Sequence, residues 1–272
     1  MSDVALEART VEASVNYMLK TAEKPVSETG GQDGLVRRYS GTPDPHVVQI
    51  EDGRGRGLVL DEAGFELTDH PTRMRDFYDP DELVRVYYPE MQQLIAARTG
   101  AHRVHIFDHT LRHSDDEVRL AKKIREPVRS VHNDYTEWSG PNRLREILPD
   151  EADALLQRRF AIIQVWRATN TPIERSPLAI VDARSIAPQD VIPAERRFPH
   201  RVGEIYMFQY NPDHRWTYFP RMRRDEALVF KVYDSAKDGR ARWGAHTSFE
   251  HPRTRADAPP RESIEIRAFA FF

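Results

Sequence analysis

Two side chains in the stretch Val128-Arg129-Ser130-Val131-His132-Asn133-Asp134-Tyr135 stand at a spacing that a metal ion can use. The stretch reads as a short strand ending in His-x-Asp. In extended backbone, side chains two apart point to the same face, so His132 and Asp134 can close on one ion together. One imidazole and one monodentate carboxylate are two of the three ligands in the set that holds non-haem Fe(II) and leaves adjacent coordination positions open. The spacing alone is common, and an ordinary strand end is the competing reading. The third ligand has to come from elsewhere. Three histidines qualify by position: His214 in Asn211-Pro212-Asp213-His214, His246 in Gly244-Ala245-His246-Thr247-Ser248-Phe249, and His251 before Pro252. His246 is favoured because it lies inside a strand-like run, where neighbouring strands can hold an imidazole rigidly. His214 and His251 remain as alternatives.

A second group of residues suggests a carboxylate receptor. Pro260-Arg261-Glu262-Ser263-Ile264-Glu265-Ile266-Arg267 alternates polar and apolar residues, which puts Arg261, Ser263, Glu265 and Arg267 on one face. A guanidinium and a hydroxyl two residues apart can grip a carboxylate through a bidentate ion pair and one further hydrogen bond. A surface edge strand with alternating charge is the competing reading. Tyr135, Trp138, Trp166, Trp216 and Tyr218 could line an apolar pocket, although sheet packing explains each equally well. Arg129, Arg167 or Arg215 could hold an acidic group of a substrate.

Composition limits the chemistry. The chain of 272 residues has no cysteine, so disulfides, thiolate metal sites and cysteine nucleophiles are excluded and any metal must use nitrogen and oxygen ligands. A formal net charge of -3, with basic and acidic residues interspersed, gives no electrostatic case for nucleic acid or a membrane surface. No apolar run approaches the roughly 18 residues of a membrane helix, and the start Met1-Ser2-Asp3-Val4 lacks the features of a signal peptide. The expectation is one cytoplasmic domain over residues 1–272.

The elements that must position these residues are mostly strands. Residues from about 4 to 20 are read as a helix packing Val11, Val15 and Leu19 along one side, and Pro25 to Gly34 as a loop. Between Leu35 and Leu67, Val47-Val48-Gln49-Ile50, Leu58-Val59-Leu60 and Phe65-Glu66-Leu67 read as hairpin strands, with Arg54-Gly55-Arg56-Gly57 as a turn. Asp79-Pro80-Asp81-Glu82 is a strong helix start, followed by Leu83, Tyr87, Met91 and Leu94 at helical spacing until Gly100. Beyond it, strands are expected at about 103–110, 128–134, 160–167, 177–183, 203–209, 214–219, 226–233, 242–249 and 262–271. Helical signals occur near 114–124 and 141–159. Short strands with few crossover helices argue for an antiparallel sandwich or barrel. Residues 1–100 are expected to pack as helices and hairpins on a barrel formed by 101–272. The absence of a Gly-rich phosphate loop and of Gly-x-Ser-x-Gly removes the nucleotide-binding and serine-hydrolase readings. The segments 112–126 and 136–149 flank the expected barrel mouth as a candidate lid.

His-x-Asp, then a distant His on the penultimate strand, then Arg-x-Ser opening the last strand, resembles the order in 2-oxoglutarate-dependent Fe(II) dioxygenases. The chain looks closer still to one branch, which includes the cephamycin methoxylation hydroxylase component, gibberellin desaturase-like fungal proteins and a fungal meroterpenoid endoperoxidase. The likeness is carried from about residue 105 onward by stretches such as Val131-His132-Asn133-Asp134-Tyr135-Thr136, Val165-Trp166-Arg167, Asp225-Glu226-Ala227-Leu228-Val229-Phe230-Lys231 and Ala245-His246-Thr247-Ser248-Phe249. The resemblance implies a mainly β, double-stranded β-helix (jelly-roll) core with flanking α-helices. It implies His132, Asp134 and His246 as Fe(II) ligands and Arg261 with Ser263 as the 2-oxoglutarate clamp. It also implies consumption of O2, release of succinate and CO2, and hydroxylation or desaturation of a small, specialised-metabolite substrate, with a partner enzyme or a homodimer conceivable. Gln164 stands where relatives are expected to carry asparagine, which leaves a polar contact from that position open. A cupin-like metal-dependent hydrolase and a non-catalytic jelly-roll subunit are the rival readings; the hydrolase gives Arg261 and Ser263 no task.

Overall fold

The computed structural model describes residues 10–30 and 36–272. Alternation with a period of two governs its first segment, β1 (Thr10–Met18), in which Val11, Ala13, Val15 and Tyr17 are buried and Glu12 and Ser14 exposed. β1 pairs antiparallel with β4 (Pro43–Asp52) along its whole length. The helix expected at about 4–20 is therefore a strand where it is described. A spacing of four fits both periods, so Val11 and Val15 could not separate them, whereas Leu19, 46% exposed, does not continue the buried row. The loop expected from Pro25 contains β2 (Val26–Gly30), which pairs antiparallel with β3 (Val36–Tyr39); residues 31–34 of that loop lie outside the described residues. Val47 to Ile50 sit in β4 and Phe65 to Leu67 in β5 (Phe65–Asp69). Leu58-Val59-Leu60 forms no strand. The Arg54 to Gly57 segment is a turn, with Gly55 and Gly57 at positive φ.

The expected helix is present. Asp79 caps it, accepting from the backbone N–H of Asp81 and Glu82, and Gly100 ends it at φ 73. It begins as α1 (Pro80–Glu82), widens into a π turn over Leu83–Tyr87 and continues as α2 (Tyr88–Thr99). Pro89 has no N–H to return to Arg85, and the widened turn directly precedes it. Leu83, Tyr87, Met91 and Leu94 are buried with Ile106, Ile264 and Ile266, so the helix covers the outside of a sheet.

That sheet has five strands in the order β5-β13-β8-β15-β6. These are β6 (Arg103–His113), β8 (Phe160–Ala168), β13 (Glu226–Asp234) and β15 (Glu262–Phe271) with β5, all antiparallel. β8 and β13 are buried along their whole length, as expected of strands covered on both faces. β15 lies between β8 and β6, which removes the edge-strand reading of its alternating charge.

The second sheet has ten strands, β1-β4-β12-β9-β14-β7-β11-β10-β2-β3. It adds β7 (His132–Asn133), β9 (Leu178–Val181), β10 (Val191–Phe198), β11 (Arg201–Phe208), β12 (Trp216–Tyr218) and β14 (His246–Ser248). The expected strands 128–134 and 242–249 shrink to these short pairing segments. β10 is an addition: Pro193 and the run Glu195-Arg196-Arg197 hide its alternation, yet it forms a complete hairpin with β11. Ile180 and Leu178 of the large sheet pack with Trp166, Phe230 and Phe269 of the small one in a common core, the interior of the jelly roll. β1 and β4 extend the large sheet through β12, and β5 extends the small one through β13. α3 (Asp116–Lys122), α4 (Ser139–Ile147) and α5 (Ala152–Leu155) answer to the two expected helical stretches.

Candidate metal centre

β7 is only two residues long, but its register decides the site. His132 stands directly opposite His246 of β14 on one side and Met207 of β11 on the other. Residues opposite one another in an antiparallel pair project to the same face, and the two imidazole centroids are 4.4 Å apart. Asp134 follows two residues later and joins them. Ligand atoms of His132, Asp134 and His246 lie within 4.8 Å of one another, and all three residues are buried. The other two histidines are elsewhere. His214 uses both ring nitrogens, Nδ1 with the Tyr17 hydroxyl at 2.9 Å and Nε2 with Asp190 at 3.1 Å. His251 packs beside Tyr218, 3.2 Å from its hydroxyl.

The hydrogen bonds around the three residues leave metal-ligating atoms free. Nδ1 of His132 donates to the Ser130 carbonyl at 2.8 Å, which directs its Nε2 lone pair into the site. Burial, and next the neighbouring His246, push the His132 imidazole down to about 3, so it is neutral at physiological pH. Nδ1 of His246 is buried without a hydrogen-bond partner. Oδ2 of Asp134 accepts from Gln164 Nε2 at 2.6 Å and from Arg267 Nε at 2.9 Å. Oδ1 faces His132 Nε2 at 3.6 Å. Burial alone would raise the Asp134 carboxyl, but the Arg267 guanidinium beside it holds it well below the usual carboxylate range. Two neutral imidazoles and one carboxylate oxygen form a donor set suited to Fe(II) or another borderline divalent ion.

Arg261 and Ser263 lie at the start of β15. Arg261 is 2% exposed. Its Nε donates to Ser263 Oγ at 3.0 Å, its Nη1 to the Ser176 carbonyl at 2.8 Å, and its guanidinium lies 4.9 Å from the centre of the Trp166 ring. Ser176 holds that carbonyl from a left-handed backbone conformation, φ 48, which L residues rarely adopt. No carboxylate among the described residues pairs with Arg261 within 4.0 Å. Burial, and Arg112 nearby, push it down to about 9. A fully buried guanidinium with no carboxylate within 4.0 Å has the chemistry to receive an organic carboxylate.

β15 and its neighbours build this interior as rungs. Ser263 is flanked by Arg112 and Ala168, Glu265 by Thr110 and Trp166, and Arg267 by Asp108 and Gln164. From the sequence alone Gln164 has no assigned role, and Arg267, Glu265 and Arg112 are not assigned to the site. The only signal was that Glu265 and Arg267 share the Arg261 face. Glu265 accepts from Arg267, which steadies the guanidinium on Asp134. Of the other candidates, Tyr135 and Trp138 line a cleft beside Asp134. Trp166 lies under Arg261, whereas Trp216 donates its indole N–H to Tyr17 and is sheet core. Tyr218 is buried beside Phe249. Arg129 lines a second cleft beside His132. Arg167 is fully buried and bonds to His70 and the Arg224 carbonyl; Arg215 pairs with Asp182. The candidate lid segments border both clefts, Asp116 and Glu126 on the larger, Trp138, Asn142 and Glu146 on the smaller.

A family model described as oxidoreductase/YMDC permease-like domain matches residues 15–271. The hydroxylase/desaturase efuI of Hormonema carpetanum is 31% identical, with 98% of this chain and 97% of the relative covered. The alpha-ketoglutarate-dependent dioxygenase phiK of a fungal species is 31% identical with 99% of both covered, and the Fe(II)/2-oxoglutarate-dependent dioxygenase nvfI of Aspergillus novofumigatus is 32% identical with 84% of both covered. A solved structure of a variant of the iron and alpha-ketoglutarate-dependent endoperoxidase NvfI superposes with a TM-score of 0.86 at 27% identity, covering 98% of each chain.

Proposed function

Since the chain belongs to the Fe(II)/2-oxoglutarate-dependent dioxygenases, in the branch of the hydroxylase/desaturases, we propose that His132, Asp134 and His246 hold its iron and that Arg261 with Ser263 receives the distal carboxylate of 2-oxoglutarate. The protein is an oxygenase that uses Fe(II), 2-oxoglutarate and O2 on a small-molecule substrate. When bound, iron and 2-oxoglutarate supply the oxidising power that removes hydrogen from an unactivated carbon, with succinate and CO2 as co-products. The observation that carries the residue assignment is the convergence of His132, Asp134 and His246 within 4.8 Å.

The chain's own residues orient, exclude and balance charge. Gln164 and Arg267 occupy one oxygen of Asp134 and present the other as a single ligand atom. Trp166 under Arg261 and Phe230, 5.1 Å from the His246 ring, form dry walls that protect the interior from solvent and from misdirected oxidation. Ser263 and the Ser176 carbonyl fix the Arg261 fork, so a carboxylate meets a preset receptor. We infer that residues 1–272 work as one domain. Among the described residues no helix is long and apolar enough to cross a membrane.

Anaerobic reconstitution with Fe(II) and 2-oxoglutarate tests the assignment. The wild type is expected to give the visible metal-to-ligand charge-transfer band of the chelate, and Arg261→Ala to need at least about tenfold more 2-oxoglutarate, in keeping with the strength of a charged hydrogen bond. A band of equal strength and affinity in Arg261→Ala would make that arginine structural. A protein that holds metal but gives no band and no succinate would return the site to the hydrolase reading.

A further inference from the structure

Two clefts meet at Asp134. One encloses about 400 Å3 and reaches from Arg112 past His132. The other encloses about 80 Å3 and runs under Trp138. Asp134, Arg196 and Ile205 line both, and Arg261 lines neither. The charges of the smaller cleft do not cancel. Glu204 is taken by Lys24 at 2.5 Å and by Thr136 at 2.6 Å. Glu146 holds Arg143 at 2.8 Å, and Asp108 takes Arg267 at 3.2 Å. Arg125 is then left with no carboxylate within 4.0 Å among the described residues. Arg196 comes only to 3.9 Å from Asp134 Oδ1, the oxygen proposed for iron, and Arg201 only to 3.9 Å from the Glu146 oxygen already held by Arg143. Burial first, and then Arg196, Arg112 and Arg267, press the Arg125 guanidinium down in the same sense.

The rim of this cleft is apolar and open. Trp138 is 52% and Val202 49% exposed, and Phe198 lies beneath the Arg201 guanidinium at 4.1 Å. Large apolar side chains left in solvent beside unmatched guanidinia describe a receptor with two halves, one for an oxyanion and one for a hydrocarbon body.

We infer that this cleft binds the organic substrate through a carboxylate or similar oxyanion held by Arg125 and Arg196, while Trp138, Phe198 and Val202 cover its apolar body. The substrate class is thus an apolar organic acid. The inference rests on the iron and 2-oxoglutarate reading, because it needs Asp134 at the reacting centre. Two guanidinia gripping an anion beside that centre fix which carbon is presented to it.

The test uses the full chain, loaded anaerobically with Fe(II) and saturating 2-oxoglutarate, and a panel of monocarboxylic acids from benzoate through 1-naphthoate to 1-pyrenebutyrate beside their methyl esters. Binding is read from the shift of the charge-transfer band and from Trp138 fluorescence, with Trp138→Phe identifying that signal. At least one acid is expected to bind about tenfold or more tightly than its ester, the preference falling to near unity in Arg125→Gln and persisting in Arg125→Lys, as removal of one charged hydrogen bond dictates. Equal binding of acids and esters by the wild type overturns the inference. So does a panel in which no acid binds, or a preference that survives in Arg125→Gln. Weakened 2-oxoglutarate binding in Arg125→Gln with the acid preference intact assigns the cleft to the co-substrate and overturns it too. Trp138 fluorescence reports acid binding whether or not the band forms, so a missing band sinks the cofactor reading while the acid-to-ester ratio still decides this one.

Discussion

Asp134 can offer a metal only one oxygen, because Gln164 and Arg267 already occupy the other. Groups that orient a ligand typically affect metal affinity by about 10- to 100-fold, so Gln164→Leu should weaken Fe(II) binding within that range while the fold persists. An Fe(II) titration that matches wild type would show the contact to be incidental. The histidines divide more sharply. His246→Ala should lose tight Fe(II) binding, whereas His214→Ala should retain it and lose stability instead, since it breaks the contacts to Tyr17 and Asp190. Retained iron affinity in His246→Ala would overturn the ligand assignment. At Gln164, where the resemblance leads one to expect asparagine, the longer side chain still delivers an amide N–H to Asp134.

β15 carries the proposed carboxylate receptor on one face and the helix-covered core on the other. Ile264 and Ile266 are fully buried against α2 and its neighbours, while Arg261, Ser263, Glu265 and Arg267 face the interior of the jelly roll. Cutting a buried Ile to Ala leaves a cavity that the strands on either side cannot collapse, at a cost of about 2–5 kcal/mol. Ile266→Ala should therefore lower the urea midpoint of unfolding. It should also loosen Arg267, which sits next to it in the strand. A loss under about 1 kcal/mol would mean that the helix closes over the gap. β7 makes the complementary case. Two residues suffice because β14 and β11 clamp them on both sides, so the register rather than the length of the strand places His132 opposite His246.

The whole molecule keeps several imidazoles neutral by burying them, which ties its stability to pH. His132 is pushed down to about 3 chiefly by burial, and burial also lowers His109 and His214, the latter against Asp190. A histidine whose folded pKa lies below its unfolded value, 6.5 here, leaves the unfolded chain holding more protons in the window between the two. Stability is then full above the unfolded value and falls as the solution is acidified below it. For the metal-free protein, His132 alone accounts for about 1 kcal/mol lost on going from pH 7.5 to 5.5. Urea midpoints at these two pH values provide the check, and a midpoint that holds or rises at 5.5 contradicts the burial of neutral imidazoles.

The His-x-Asp spacing, the strand-like run around His246, the shared face of Arg261 and Ser263 and most strands of the small sheet were legible in the sequence, because alternation and short apolar runs bounded by turn residues are local signals that a strand carries wherever it lies. The capped helix was legible because its start and stop are written locally in Asp79, Pro80 and Gly100. The N-terminal strands were not. Val11 and Val15 are four apart and satisfy either period, and only the edge of β4 makes β1 a strand. β10 owes its existence to β11 and to the parallel partner β2, a segment about 170 residues away along the chain. The pairing of His132 with His246, the seizure of one Asp134 oxygen by Gln164 and Arg267, and the unmatched charge at Arg125 were decided by tertiary structure alone. Each is a relation between residues on different strands, and register, burial and charge balance across a core exist only once the two sheets have closed on each other.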